Sequence, residues 1–192
     1  MPVDVAIVVG HHPAAKGAAL TVGDNHIQEY DFWEPFAHAL RRCLWHCGIS
    51  CKVIHRPNPR PDAELMRRVN ATGARCAIEL HFNGFTDAGA QGSEMLHWHT
   101  SEQGRLLADL LQQYTVRTLR VHDRGLRGVR RGKGLAFLRG TRMPAVICEP
   151  AFGTNPVDAW KLLTRQMQLV EAYAGAIADF LSETKQAARH AA

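Results

Sequence analysis

Four short stretches of the chain carry side chains that could do chemistry together: Gly10-His11-His12, Glu29, His81 within "ELHFNG" (79–84), and Glu149 at the end of "AVICE" (145–149). Two imidazoles and a carboxylate make up the donor set of a catalytic zinc, which takes three protein ligands and leaves the fourth position to water. A further carboxylate beside that water can accept its proton. On this reading the first imidazole is His11 or His12, the second is His81, Glu29 is the best candidate for the third ligand, and Glu149 is free for proton transfer. Each residue alone also has an ordinary structural reading, and it is the joint pattern that points to a site.

About 70 residues separate His11 from His81, and His81 from Glu149, so the fold has to bring them together. "VDVAIVV" (3–9) is a short β-branched run bounded by Gly10, the pattern of a strand buried on both faces. "SCKVIH" (50–55), "CAIEL" (76–80), "SEMLHWH" (93–99), "LAFL" (135–138) and "AVICE" (145–149) read as further strands. Apolar residues at three- and four-residue steps from Phe32 to Cys47 predict a helix that ends at Gly48. Asp31 and Glu34 can serve its first turn, and Pro35 should keep it from starting much earlier. A helix capped by Asp62 should run to about Thr72, another should cover 102–119, and a last one should run from Val157 to Ser182 before a fraying tail. "RPNPRP" (56–61) and "RGLRGVRRGKG" (124–134) read as loops.

Strands interleaved with helices predict an α/β fold, a three-layer sandwich with a largely parallel, twisted sheet of about six strands flanked by helices. In open α/β sheets, sites form outside the carboxyl ends of the strands. Three predicted strands end there in Gly10-His11-His12, His81 and Glu149. Glu29 precedes the helix that must pack beside the first strand, so its carboxylate can return to the same edge.

Bulk properties narrow the class. With 192 residues the expectation is one domain, and 46% hydrophobic against 21% charged residues is an ordinary globular balance. No apolar run approaches the ~18 residues that would suggest a membrane span. The opening "MPVDVAIVVG" has no basic leader and carries Asp4 in its apolar run, so synthesis in the cytoplasm without a signal peptide is expected. Cys43, Cys47, Cys51, Cys76 and Cys148 lie in apolar segments and read as reduced core thiols. His46 with Cys43, Cys47 and Cys51 makes a poor metal spacing.

A net charge of +5 favours an anionic partner. The run 124–134 holds five arginines and lysines but no aromatic residue, so no nucleic-acid platform is expected there. A rim attracting carboxylates is the sharper reading. The last helix, with Leu162, Leu169, Tyr173, Ile177 and Phe180, covers the sheet on this view, and no stable membrane insertion is expected. Glu79 shares a strand face with His81 and could either orient that imidazole or be a paired buried acid.

With these motifs in hand the sequence resembles the zinc-dependent N-acetylmuramoyl-L-alanine amidases of the amidase-3 type. The likeness rests on "VVGHHPAAKGA" (8–18), "EYDF" (29–32), "ELHFNG" (79–84) and "MPAVICEPAFGTNPVD" (143–158), in order across nearly the whole chain. It departs from the family at Val8-Val9, where an Asp-Pro or Asp-Ala is common, and at His12 and Glu79. The resemblance implies one Zn2+ held by His11, Glu29 and His81, with Glu149 as catalytic carboxylate. It implies a peptidoglycan hydrolase cleaving the amide between N-acetylmuramic acid and L-alanine, in a catalytic domain of residues 1–183 followed by a tail, 184–192. An autolysin or phage endolysin that reaches the cell wall after release by another factor is the expected setting. The rival readings are a zinc peptidase of carboxypeptidase type and a catalytically silent wall-binding module.

Overall fold

The computed structural model describes residues 1–57, 63–130 and 135–190. The expected Asp62 cap, Arg131 and Lys133 lie outside them. Eight strands and six helices follow one another as β1 (Val5–Val9), β2 (Ala19–Val22), β3 (Asn25–Gln28), α1 (Glu29–His46), β4 (Cys51–Ile54), α2 (Ala63–Asn70), β5 (Cys76–Leu80), β6 (Ser93–Trp98), α3 (Glu102–Leu119), β7 (Asp123–Val129), α4 (Ala136–Gly140), β8 (Ala145–Glu149), α5 (Pro156–Thr164) and α6 (Gln166–His190).

Six strands form one sheet in the order β4-β1-β5-β8-β6-β7. All neighbours run parallel except β8 and β6. Alternation along the strands splits the core in two. Val5, Ile7, Val9, Cys76, Ile78, Leu80, Val146 and Cys148 point to one face, where Trp33, Phe36 and Leu40 of α1, Leu107 and Leu111 of α3, and Tyr173 and Ile177 of α6 cover them. Ala6, Val8, Ala77, Ala145 and Ile147 point to the other, under Leu65 and Val69 of α2 and Phe137 and Leu138 of α4. Every residue of β1 and β5 is buried, as continuous apolar strands in a doubly covered sheet require.

Several local expectations give way. "LAFL" is a helical turn rather than a strand, because α4 buries the consecutive Phe137 and Leu138 against one layer, which a strand could not do. The sixth strand is instead β7, within the expected basic loop. It is an edge strand whose arginines face solvent or pair with Glu94, so its apolar alternation reduces to Leu126 and Val129. Helix α1 begins at Glu29, so Glu29 is helical and Pro35 lies inside the helix. The hairpin β2–β3 makes this early start possible: Ala18 and Lys16 carbonyls accept from the free backbone N–H groups of Glu29 and Tyr30.

The last helix divides at Arg165, whose Nη1 leaves the helical path to donate to the Thr118 and Leu119 carbonyls that end α3. Helix α6 then runs on to His190, past its last buried residue, Leu181, through a stretch in which Glu183, Lys185, Gln186, Ala187, Ala188 and Arg189 are good helix formers. The cysteines are all free; Cys76 and Cys148 are buried, while Cys47, one residue beyond α1, is exposed. Among the described residues no helix is long and apolar enough to cross a membrane.

Candidate functional site

Strand register levels the site. Val9 pairs with Leu80, and Leu80 with Cys148, so the residues that follow, Gly10, His81 and Glu149, stand side by side on β1, β5 and β8 at the carboxyl edge. The ladder continues one step beyond the strands, with Gly10 N–H donating to Leu80 and His81 N–H to Cys148. At Gly10 a Cβ would lie 2.2 Å from the Leu80 carbonyl and 2.8 Å from His81 Nδ1, so only glycine allows β1 to pass this close.

The next residue, His11, has φ of 65°, a strained value for a side chain with a Cβ. That twist turns its ring towards Glu29 and His81, while His12 folds back into its own turn and accepts from Ala14 N–H through Nδ1. The structure therefore brings His11 into the cluster and leaves His12 out. Donor atoms of His11, Glu29 and His81 all lie within 4.8 Å of one another.

Glu29 sits at the centre. Its Oε2 is 3.1 Å from His11 Nε2, and its Oε1 is 2.9 Å from His81 Nδ1. The same two oxygens accept from the backbone N–H groups of Ala18 and Phe82. Burial alone would raise its pKa, but the hydrogen bonds and charges of His11 and His81 outweigh burial and hold the carboxyl at about 2. Gly17 closes this side: a Cβ there would meet Glu29 Oε2 and the His11 ring at 2.7 Å.

On the far side of His81, Nε2 lies 3.6 Å from Glu79 Oε2. Glu79 is fully buried and ion-paired with Arg56. It is thus both a paired buried acid and a neighbour able to orient the His81 ring. Burial would lower the His81 pKa, yet the hydrogen bond to Glu29 and the negative charges of Glu79 and Glu29 carry it well above its ordinary value.

Glu149 completes the edge. Its Oε2 is buried and has no hydrogen-bond partner. Burial pushes its carboxyl up to about 8, against the pull of His81 and with the added repulsion of Glu29, Glu94 and Glu79. Glu94, opposite Glu149 in the β6–β8 ladder, is held by Asn83, Arg124 and Arg127. Sequence patterns did not flag this brace or Arg56, because each depends on strands and loops far apart in the chain. Around the rim, Arg124 lies 5.0 Å over the Phe152 ring, and Asn155 caps α5 while donating to the Ala88 carbonyl.

The raised Glu149 pKa predicts a pH-dependent stability for metal-free protein. Between the unfolded value of 4.5 and the folded value of about 8, the folded chain holds a proton that the unfolded chain has lost. That proton's stabilising contribution is complete below the unfolded value and lost as pH rises through the folded one. In chelator, Glu149→Gln should melt above the parent protein by a margin that widens from pH 5 to 8 and is constant beyond. A margin independent of pH would contradict a raised pKa.

Parallel strands that deliver two imidazoles and a carboxylate to one edge, beside a buried acid, define a three-layer α/β protein with a hydrolytic type of site. Within that class the chain belongs to the N-acetylmuramoyl-L-alanine amidase family, which it matches over residues 5–179. It is 32% identical over 165 residues to N-acetylmuramoyl-L-alanine amidase CwlM of Mycobacterium tuberculosis, an alignment covering 82% of this chain and 38% of that protein. Solved structures agree on the fold. An amidase from Clostridium difficile 630 superposes with a TM-score of 0.77 at 22% identity, over 95% of this chain and 98% of its own. AmiC2 of Nostoc punctiforme does so with a TM-score of 0.76 at 19% identity, over 93% and 97%.

Proposed function

We propose that the protein is a zinc-dependent N-acetylmuramoyl-L-alanine amidase that hydrolyses the amide joining the lactyl group of N-acetylmuramic acid to L-alanine of the peptidoglycan stem peptide. The observation that carries this reading is the convergence of His11, Glu29 and His81 donor atoms within 4.8 Å beside the partnerless Oε2 of Glu149. Two histidines and a carboxylate suit zinc by donor type. The glycines at 10 and 17 leave room for the cluster that any side chain would fill.

A zinc ion held by these three residues would supply Lewis acidity towards the scissile carbonyl and a lowered pKa for attacking water. Glu149 then handles the proton at Oε2, accepting it from the attacking water and returning it to the departing L-alanine nitrogen. Burial raises the carboxyl and a bound cation would lower it, and this opposition suits a group that must both accept and return a proton. Glu79 holds the His81 ring from behind while Arg56 balances its charge. Glu94, with its two arginines, fixes the strand end opposite Glu149.

Digestion of purified peptidoglycan tests the reaction. New L-alanine amino termini are expected; other peptide ends would favour a peptidase, and binding without release would leave a wall-binding module. The basic rim bears on substrate attraction. Arg124 and Arg127 are committed to Glu94, while Arg130 is exposed. Arg130→Gln should weaken wall binding about twofold to tenfold at low salt and flatten its salt dependence, as measured by pull-down on isolated walls. Binding unchanged at low salt would reject that role.

A further inference from the structure

We propose that Glu34, His38 and His55 form a second divalent-cation site, suited to zinc, that ties helix α1 to the end of strand β4. Donor atoms of these three residues lie within 4.8 Å of one another, the same closeness found in the first cluster. Glu34 and His38 are one helical turn apart, and Glu34 Oε1 is 3.2 Å from His38 Nε2. Two ligands of a tetrahedral zinc with bonds of ~2.0 Å stand about 3.3 Å apart, so this pair already has the spacing of a tetrahedron's edge.

A helical acid and histidine at this spacing could be only a surface pair. His55 is the observation that such a pair does not explain. It comes from a different element, the residue after β4, and its ring centroid lies 6.1 Å from that of His38 with 33° between the planes. Its Nδ1 is 3.2 Å from the Tyr30 hydroxyl, which occupies one ring nitrogen and leaves Nε2 for an ion. An outer partner of this kind fixes the orientation and tautomer of a ligating imidazole.

Ile54 pairs with Val8, so β4 releases His55 at the same carboxyl edge that carries the first cluster. All three side chains are half-buried, and those of Glu34 and His38 remain 37% and 36% exposed, so solvent can complete the coordination. The two clusters share no ligand, but they are joined by sequence: Tyr30 follows Glu29, and His55 precedes Arg56. A cation at the second site would therefore pin the start of α1, where Glu29 is mounted.

Metal content distinguishes the two sites. The full chain, stripped with chelator and equilibrated in zinc buffered at low micromolar free concentration, should hold two ions. His38→Ala and His55→Ala should each hold one and keep basal turnover, since neither residue is placed in the catalytic cluster. His81→Ala should also hold one, and His81→Ala/His38→Ala none. In the His81→Ala background, zinc at about 100 times its dissociation constant should raise Tm on the order of 5 °C, and adding His38→Asn should abolish the rise. The proposal fails if the parent chain holds one ion and His38→Ala still holds one, or if His81→Ala/His38→Ala holds as much zinc as His81→Ala. If His38→Ala loses an ion while His81→Ala loses none, the second site stands and the ligand set of the first is wrong.

Discussion

Replacing Glu149 by glutamine is expected to lower turnover on peptidoglycan ~100- to 10,000-fold, the usual contribution of a positioned general acid–base. The amide keeps the size of the side chain and removes only its capacity to take a proton. Because burial and neighbouring acids hold the parent carboxyl near 8, glutamine resembles the protonated form in charge, and the strand end should not be disturbed. Zinc content should stay at the parent level, because His11, Glu29 and His81 already face one another without Glu149. Single-turnover release of L-alanine amino termini, measured with metal content, checks both halves. Normal turnover would remove Glu149 from the chemistry. Loss of zinc with lost turnover would make it a ligand.

The convergence of His11, Glu29 and His81 is legible in the sequence because of where the chain keeps its information. The strands β1, β5 and β8 are buried on both faces, so their sequences are apolar apart from Glu79 and the terminal Glu149, and a histidine or glutamate at the end of such a run stands out. The parallel rule then places those ends together. Elements with weaker local signals were misread. Strand β7 satisfies its arginines through Glu94 on β6, a partner some 30 residues away, so its sequence looks like a loop. "LAFL" is short and apolar, where period cannot separate helix from strand. Pro35 argues for a helix start after Glu29, whereas the Lys16 and Ala18 carbonyls just before β2 accept from the first N–H groups and allow an earlier one.

The same limit explains Glu34 and His55. The first reads as a helix-start acid and the second as a strand terminus. Glu34 reaches His38 within one helical turn, but only the packing of α1 on β4 brings His55 to them. Tertiary adjacency between elements, rather than any single motif, was the missing information.

His81→Ala is expected to cost more than activity. His81 is the only member of the first cluster that contacts two buried acids, through Nδ1 to Glu29 and Nε2 towards Glu79. Removing the imidazole takes one of three donors from the proposed ion, and affinity for zinc at this site should fall well beyond the ~10- to 100-fold typical of losing an outer partner. It also leaves Glu29 without a hydrogen bond, and Glu79 without a nearby positive charge, that help keep both pKa values below the ordinary range. With a folded pKa depressed below the unfolded one, each carboxylate adds stability that is present above the unfolded pKa and lost as pH falls. His81 itself has a raised pKa, whose contribution is complete below its unfolded value of 6.5, so the variant should lose most stability relative to the parent between about pH 4.5 and 6.5, with the gap narrowing as both are acidified below that window. Zinc competition against a chromogenic chelator reads the first effect, and thermal melts across pH in chelator read the second. Unchanged affinity for the first ion would take His81 out of the ligand set. A stability gap that keeps growing as pH falls below 4.5 would mean that its ring does not serve to keep those carboxylates charged.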